Sequence, residues 1–273
     1  MIAGPQSRSV SGGLSSKLSQ TLTQTFIGRV SLRLIALILF LSAWQMSGDD
    51  SLDLLFPTFT RTLLAFWELV ASGLLPMGLL ITGQALLVAF TLIIVVGVPT
   101  GLLIAQTRLV DRILSPYFTF LVAIPIIALI PVIQALMGLT LAARATVIFL
   151  FGISYVVINT AIAARTVKPE LIEMAHSYGA KRSSIMTEVI LPASLPGIMT
   201  GLRLALGQAL IGMVVAELTI VGAGVGSLIA ELQGRFKMAA VLAVAMTIVI
   251  LGLCLLTLVE LVEKRLARWS TST

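Results

Sequence analysis

Residues 170–192 read ELIEMAHSYGAKRSSIMTEVILP, and long apolar runs lie on both sides of them. Only one other sizeable polar stretch exists, at the N-terminus, and it has no comparable pattern. A charged, helix-compatible insert between two oily segments calls for a soluble partner or a water-facing task. Its local signals are readable. Pro169 suits the first position of a helix, where its missing N–H costs nothing. Glu170 and Glu173 follow, acids that complement the positive end of the helix dipole. Leu171, Met174, Ala175 and Tyr178 recur at helical spacing and make one apolar stripe. Gly179 is placed to end the helix in a left-handed conformation. A second short helix over about 181–190 should stop near Pro192. The expected shape is a compact knob: helix, glycine bend, helix.

The rest of the chain is apolar. Of its 273 residues 58% are hydrophobic and 11% charged, against about 25% charged in soluble domains. One hydrophobic core cannot absorb that much apolar surface, so a bilayer is the natural solvent. Six spans are expected, at about 32–46, 78–105, 114–136, 142–164, 197–221 and 238–259. Residues 1–25, rich in Ser, Thr, Gln and Gly, read as a disordered tail, and 26–273 as one transmembrane domain. Residues 58–72 mix Arg61 and Glu68 with Leu63, Leu64, Phe66, Trp67 and Leu69, the pattern of an amphipathic helix at the membrane surface. The pairs Gly97/Gly101 and Gly197/Gly201 have the spacing that lets helix backbones approach closely. Pro116, Pro125 and Pro131 should kink the third span. The Gly222–Ser227 run, GAGVGS, looks like a phosphate cradle, but it follows a span and no Lys-Ser/Thr comes after it. It is expected to be a flexible external turn.

Charge fixes the orientation. With the N-terminus inside, only Arg61, Arg144, Arg235 and Lys237 of the 18 Lys and Arg residues fall on outer segments. That asymmetry puts both termini and the 168–192 loop in the cytoplasm, and accounts for the net charge of +6 without nucleic acid. One Cys (Cys254) and one His (His176) exclude an internal disulfide and make a transition-metal site untenable. No phosphate-binding loop, Ser/His/Asp set or pocketed carboxylate pair is present, so the chain itself should not be an enzyme.

The loop resembles the signature of the membrane subunits of binding-protein-dependent ABC importers: Glu-Ala-Ala, three residues, Gly, nine residues, Ile-x-Leu-Pro. The matching positions are Glu173, Met174, Ala175, Gly179, Val189, Leu191 and Pro192, with Met174 standing for an Ala and Val189 for the Ile. The run IPIIALIP at 124–131 is similar to the branch of that family handling nitrate, sulfonates and taurine, although Leu136-Met137-Gly138-Leu139 replaces that branch's Trp-Phe-Gly-Ile-Gly turn. The resemblance implies an all-α membrane protein of the type I ABC importer permease fold in the bacterial inner membrane. It also implies partners: a cytoplasmic ABC ATPase dimer that binds the ATP and Mg, a second permease copy in a homodimer, and a periplasmic or lipid-anchored substrate-binding protein. Glu173, Met174, Ala175, Tyr178, Gly179, Leu191 and Pro192 would then form the ATPase-coupling element. Polar groups inside spans tend to face a bundle interior, which makes Asn159, Gln208 and Glu217 candidates for the translocation path. An ion-gradient-driven transporter and a non-transporting scaffold are the competing readings. The first predicts midplane carboxylates and internal repeats, and no clear repeat is visible.

Overall fold

The computed structural model describes residues 26–48, 56–220, 222 and 224–267. The expected N-terminal tail and Arg268 lie outside the described residues. All regular structure among the described residues is helical.

The chain divides into two units, residues 1–64 and 65–273. In the first, α1 (Phe26–Ser47) is apolar over Ser31–Ser47, short of the roughly 20 residues that cross a bilayer. Its C-terminal end is tied down locally. Trp44 Nε1 donates to the Pro57 carbonyl at 3.1 Å, Thr60 Oγ1 to Gln45 Oε1 at 2.9 Å, and the Trp44 ring meets Phe59 edge-on at 5.5 Å. The amphipathic stretch is helical as expected, in α2 (Phe59–Ala71).

The second unit is a bundle. Among the described residues four helices are long and apolar enough to cross a membrane: α3 (Leu74–Gln106), α6 (Leu141–Arg165), a continuous α8 (Arg182–Thr219) and α10 (Met238–Ala267). A fifth crossing is a bent pair. In it α4 (Arg108–Ala123) breaks at Ile124-Pro125, a 3₁₀ turn follows over Ile126–Leu129, and α5 (Ile130–Met137) leaves at 94°. Pro125 cannot donate to the helix ladder and biases Ile124 towards extended backbone, and Ile124 sits at φ −71°, ψ 134°. The kinked third span is thus a broken one.

Small residues set the core. Ala85, Ala89, Ile93, Ala145, Ile148, Val156, Ala205, Ala209 and Met213 are all fully or almost fully buried between α3, α6 and α8. Both glycine pairs do what their spacing suggested. A Cβ on Gly97 would lie 3.0 Å from Val156, one on Gly101 2.6 Å from Thr160, and one on Gly201 2.7 Å from Asn159 Cβ. Gly197 abuts Ala163 as closely. With no hydrophobic drive between helices in lipid, such close approach supplies the dispersion contacts that hold spans together. The outward faces carry exposed Leu80, Leu87, Val95, Val249 and Leu253, which suit lipid or another subunit.

Two expectations need correction. The second helix of the knob does not stop at Pro192. It runs on into the next span, through a π-helical turn at Ile185–Ile190. The wider i→i+5 pattern absorbs the hydrogen bond that Pro192 cannot make, so a proline that reads as a stop becomes a shift in winding. The glycine-rich run is not a turn throughout: from Val225 it is helix, α9 (Val225–Gly234), with Val225, Leu228 and Leu232 buried against Leu75, Ala240 and Val244.

Candidate functional site

The knob between α6 and α8 begins with α7 (Pro169–Ser177). Pro169 opens the helix and Glu170 lies in its first turn, while Glu173 falls one turn later and is exposed. The end is a Schellman cap. Ala180 N–H donates to the Ala175 carbonyl at 3.0 Å and Gly179 N–H to the His176 carbonyl at 2.9 Å, with Gly179 at φ 73°. No other atom lies within 4 Å of where a Gly179 Cβ would sit. The backbone conformation, not crowding, therefore selects glycine there. Met174 is 54% exposed and Tyr178 86%, with Leu171 beside them at 38%. These are large apolar side chains on a polar loop, uncovered by the chain's own packing. Ala175 is half-buried, Leu191 packs against the main core, and Pro192 is exposed at the root of the span.

Beneath the knob, the ends of three helices are tied together. Arg165, the last residue of α6, donates to Asp111 Oδ1 at 2.7 Å and to the Ile104 carbonyl at 3.2 Å. Ser115 Oγ donates to the same Asp111 oxygen. Arg203 on α8 pairs with Glu263 on α10. Arg165 and Asp111, which sequence reading passed over as loop charges, thus join the ends of α3, α4 and α6.

The three path candidates lie in different places. Asn159 is half-buried, and its Nδ2 donates to the Tyr155 carbonyl at 2.7 Å against Gly201. Gln208 faces a cavity at the break between α4 and α5. Glu217 is fully buried at the opposite end of the bundle from the knob. Its Oε2 accepts from Thr82 Oγ1 and from Gly226 N–H, both at 2.9 Å, and Thr82 Oγ1 in turn accepts from Val225 N–H at 3.0 Å. Arg144 Nη1 stands 4.0 Å from the other oxygen, Oε1. The glycine-rich run is thus an anion cradle whose anion is the chain's own carboxylate. A Cβ on Gly224 or Gly226 would collide with Glu217. Thr82 and Arg144 were missed because each reads alone as an ordinary residue near a span end. Arg144, counted from sequence among outer-loop charges, is buried within α6.

Residues 97–268 match the model of the family described as binding-protein-dependent transport system inner membrane component. The chain belongs to this family. It is a membrane-spanning permease subunit of an ABC importer, a component without catalytic machinery of its own. The riboflavin transport system permease protein RibX of Chloroflexus aurantiacus is 33% identical over 242 residues, covering 87% of this permease and 90% of that one. The putative aliphatic sulfonates transport permease protein SsuC of Bacillus subtilis is 30% identical over 234 residues, 85% of each chain. Among solved structures, the inward-facing MetNI methionine ABC transporter aligns with TM-score 0.57 and 22% identity, over 71% of this chain and 94% of that one. The permease thus has the fold of a type I ABC importer subunit.

Proposed function

We propose that the 168–192 loop is the coupling element, seated in a groove of a cytoplasmic ATPase dimer that binds the ATP and Mg. One observation carries this reading: Leu171, Met174 and Tyr178 stand exposed on a helix held rigid by the Gly179 cap and rooted in α8. An apolar helix face lying in a partner's groove is a recurrent recognition mode. Glu173, exposed beside it, offers a charge that fixes register. A push on α7 then reaches Arg165 and Asp111 through residues 166–168 and the continuous α8 through the capped bend at Gly179.

The finer architecture follows from the same reading. The permease has six spans, counting α1 and the bent α4–α5 pair. Residues 1–25 and both termini are cytoplasmic, and 26–273 form the transmembrane domain. It works as a homodimer in the bacterial inner membrane, fed by a periplasmic or lipid-anchored binding protein. The solute is a small organic molecule or small anion, the classes named for the riboflavin and sulfonate permeases. Asn159 and Gln208 remain candidates for lining the path. An ion-driven mechanism finds no support in Glu217, whose carboxylate is engaged by Thr82, Gly226 and Arg144.

The test is substitution at Gly179. An L-residue in the left-handed region costs about 1–2 kcal/mol, less for Asn. Gly179→Val should therefore distort the knob and reduce ATP-driven uptake at least tenfold at normal membrane abundance, while Gly179→Asn keeps most of it. Normal uptake by Gly179→Val would remove the coupling role.

A further inference from the structure

The break between α4 and α5 opens a cavity of about 190 Å³ inside the subunit, walled by α6 and by Gln208 of α8. Non-helical backbone at membrane depth persists only where protein covers it or where it lines a wet cavity, and broken spans mark solute sites in other transporters. Three polar side chains line this cavity, Ser154, Tyr155 and Gln208. Ser154 is 2% exposed, and its hydroxyl has no hydrogen-bond partner among the described residues. A buried serine usually bonds back to its own helix, so an idle Oγ on a cavity wall is a group waiting for a partner. Gln208 adds an amide that both donates and accepts. The other lining side chains are apolar, including Pro125 and Phe151, the Tyr155 ring adds a flat aromatic face, and no lining residue is charged.

We infer that this cavity binds an uncharged, hydrogen-bonding part of the transported solute, a hydroxyl, amide or heterocyclic ring, and excludes anionic groups. This rests on the permease reading given above. The volume takes one ring or a few waters, below the roughly 300–1,000 Å³ of sites that enclose a whole drug-sized ligand, so the rest of the solute lies outside it. An anion here would lose its hydration shell with no charged side chain among the lining residues to replace it, and the one helix start there, the four-residue 3₁₀ turn at Ile126–Leu129, is too short to hold an anion; a buried unpaired charge is among the costliest arrangements in a protein. A neutral polar group exchanges water for Ser154 and Gln208 at little loss. Aromatic and proline walls suit the flat face of a ring.

The test uses the full chain in nanodiscs together with its ATPase, in a Cys254→Ala background. Ser154→Cys and, on another wall, Gln208→Cys are each reacted with three methanethiosulfonates: 2-hydroxyethyl, the larger uncharged benzyl, and anionic 2-sulfonatoethyl. Rates are referred to Ser72→Cys, an exposed position between α2 and α3. Relative to that control, both uncharged reagents should outpace the sulfonate at least tenfold at both cavity positions. The benzyl reagent shows that charge, not bulk, is refused. Equal relative rates for the sulfonate would overturn the inference, and so would no reaction with any reagent, since the cavity would then be closed to solutes. Retention of the ATPase, read on the same samples, separates the two claims. Sulfonate entry with the ATPase bound removes the neutral site and leaves the permease reading; failure of the wild-type loop to hold the ATPase removes the latter.

Discussion

A carboxylate in a membrane span is expensive, roughly 2.5–3.5 kcal/mol for a central charge on insertion scales, and Glu217 offsets that cost with partners from its own subunit. Thr82 comes from the start of α3, Gly226 from α9 and Arg144 from the start of α6, so one side chain joins four helices at one end of the bundle. Removing it would leave the buried Gly226 N–H without its acceptor and take the carboxylate from beside Arg144. Breaking a buried charged pair costs about 3–5 kcal/mol. Glu217→Ala should therefore lower the melting temperature of the purified subunit sharply. Glu217→Gln keeps an acceptor for Thr82 and Gly226 and should cost less than half as much. Equal, small shifts for both would mean that the cradle does not hold the end of the bundle together. From sequence, Glu217 stood out and its partners did not, because Thr82 is 135 residues away and only packing brings it near.

At the scale of elements, glycine decides how closely α3 and α6 approach, and its effect differs position by position. Gly101 faces Thr160 and the Val157 carbonyl, whereas on the same helix no atom lies within 4 Å of where a Gly83 Cβ would sit. Gly101→Val should destabilise the bundle by about 1–3 kcal/mol through overpacking, and Gly83→Val should leave it unchanged within about 0.5 kcal/mol. Thermal unfolding in detergent distinguishes them, and similar losses at both positions would contradict the packing described. The Gly97/Gly101 and Gly197/Gly201 contacts were legible in advance because their four-residue spacing has one strong use in membranes. The knob was legible too, since Pro169, the apolar stripe and Gly179 agree on one local structure. Element ends were less so. Pro192 has two outcomes, a stop or a π-turn, and the choice depends on whether α8 has a core to continue into, which Ile198, Leu202 and Ala205 supply. The glycines of residues 222–227 had the composition of a loose turn. Their role depends on a carboxylate that only tertiary structure delivers.

Over the whole molecule, a motorless bundle carries a rigid, exposed knob at the end where Arg165, Asp111, Arg203 and Glu263 tie its helices together, and a carboxylate-locked cap at the other. In the coupling proposed above, load on α7 passes into α8, a continuous helix of 38 residues. Transmission requires that the knob actually touch an ATPase in the cell. A photo-crosslinking amino acid placed at Tyr178, the most exposed large apolar side chain of the loop, measures that contact directly. Irradiation of intact cells should give one covalent adduct with the nucleotide-binding subunit, much reduced when Gly179→Val is added. No adduct with a nucleotide-binding subunit, despite normal insertion of the permease, would contradict the account.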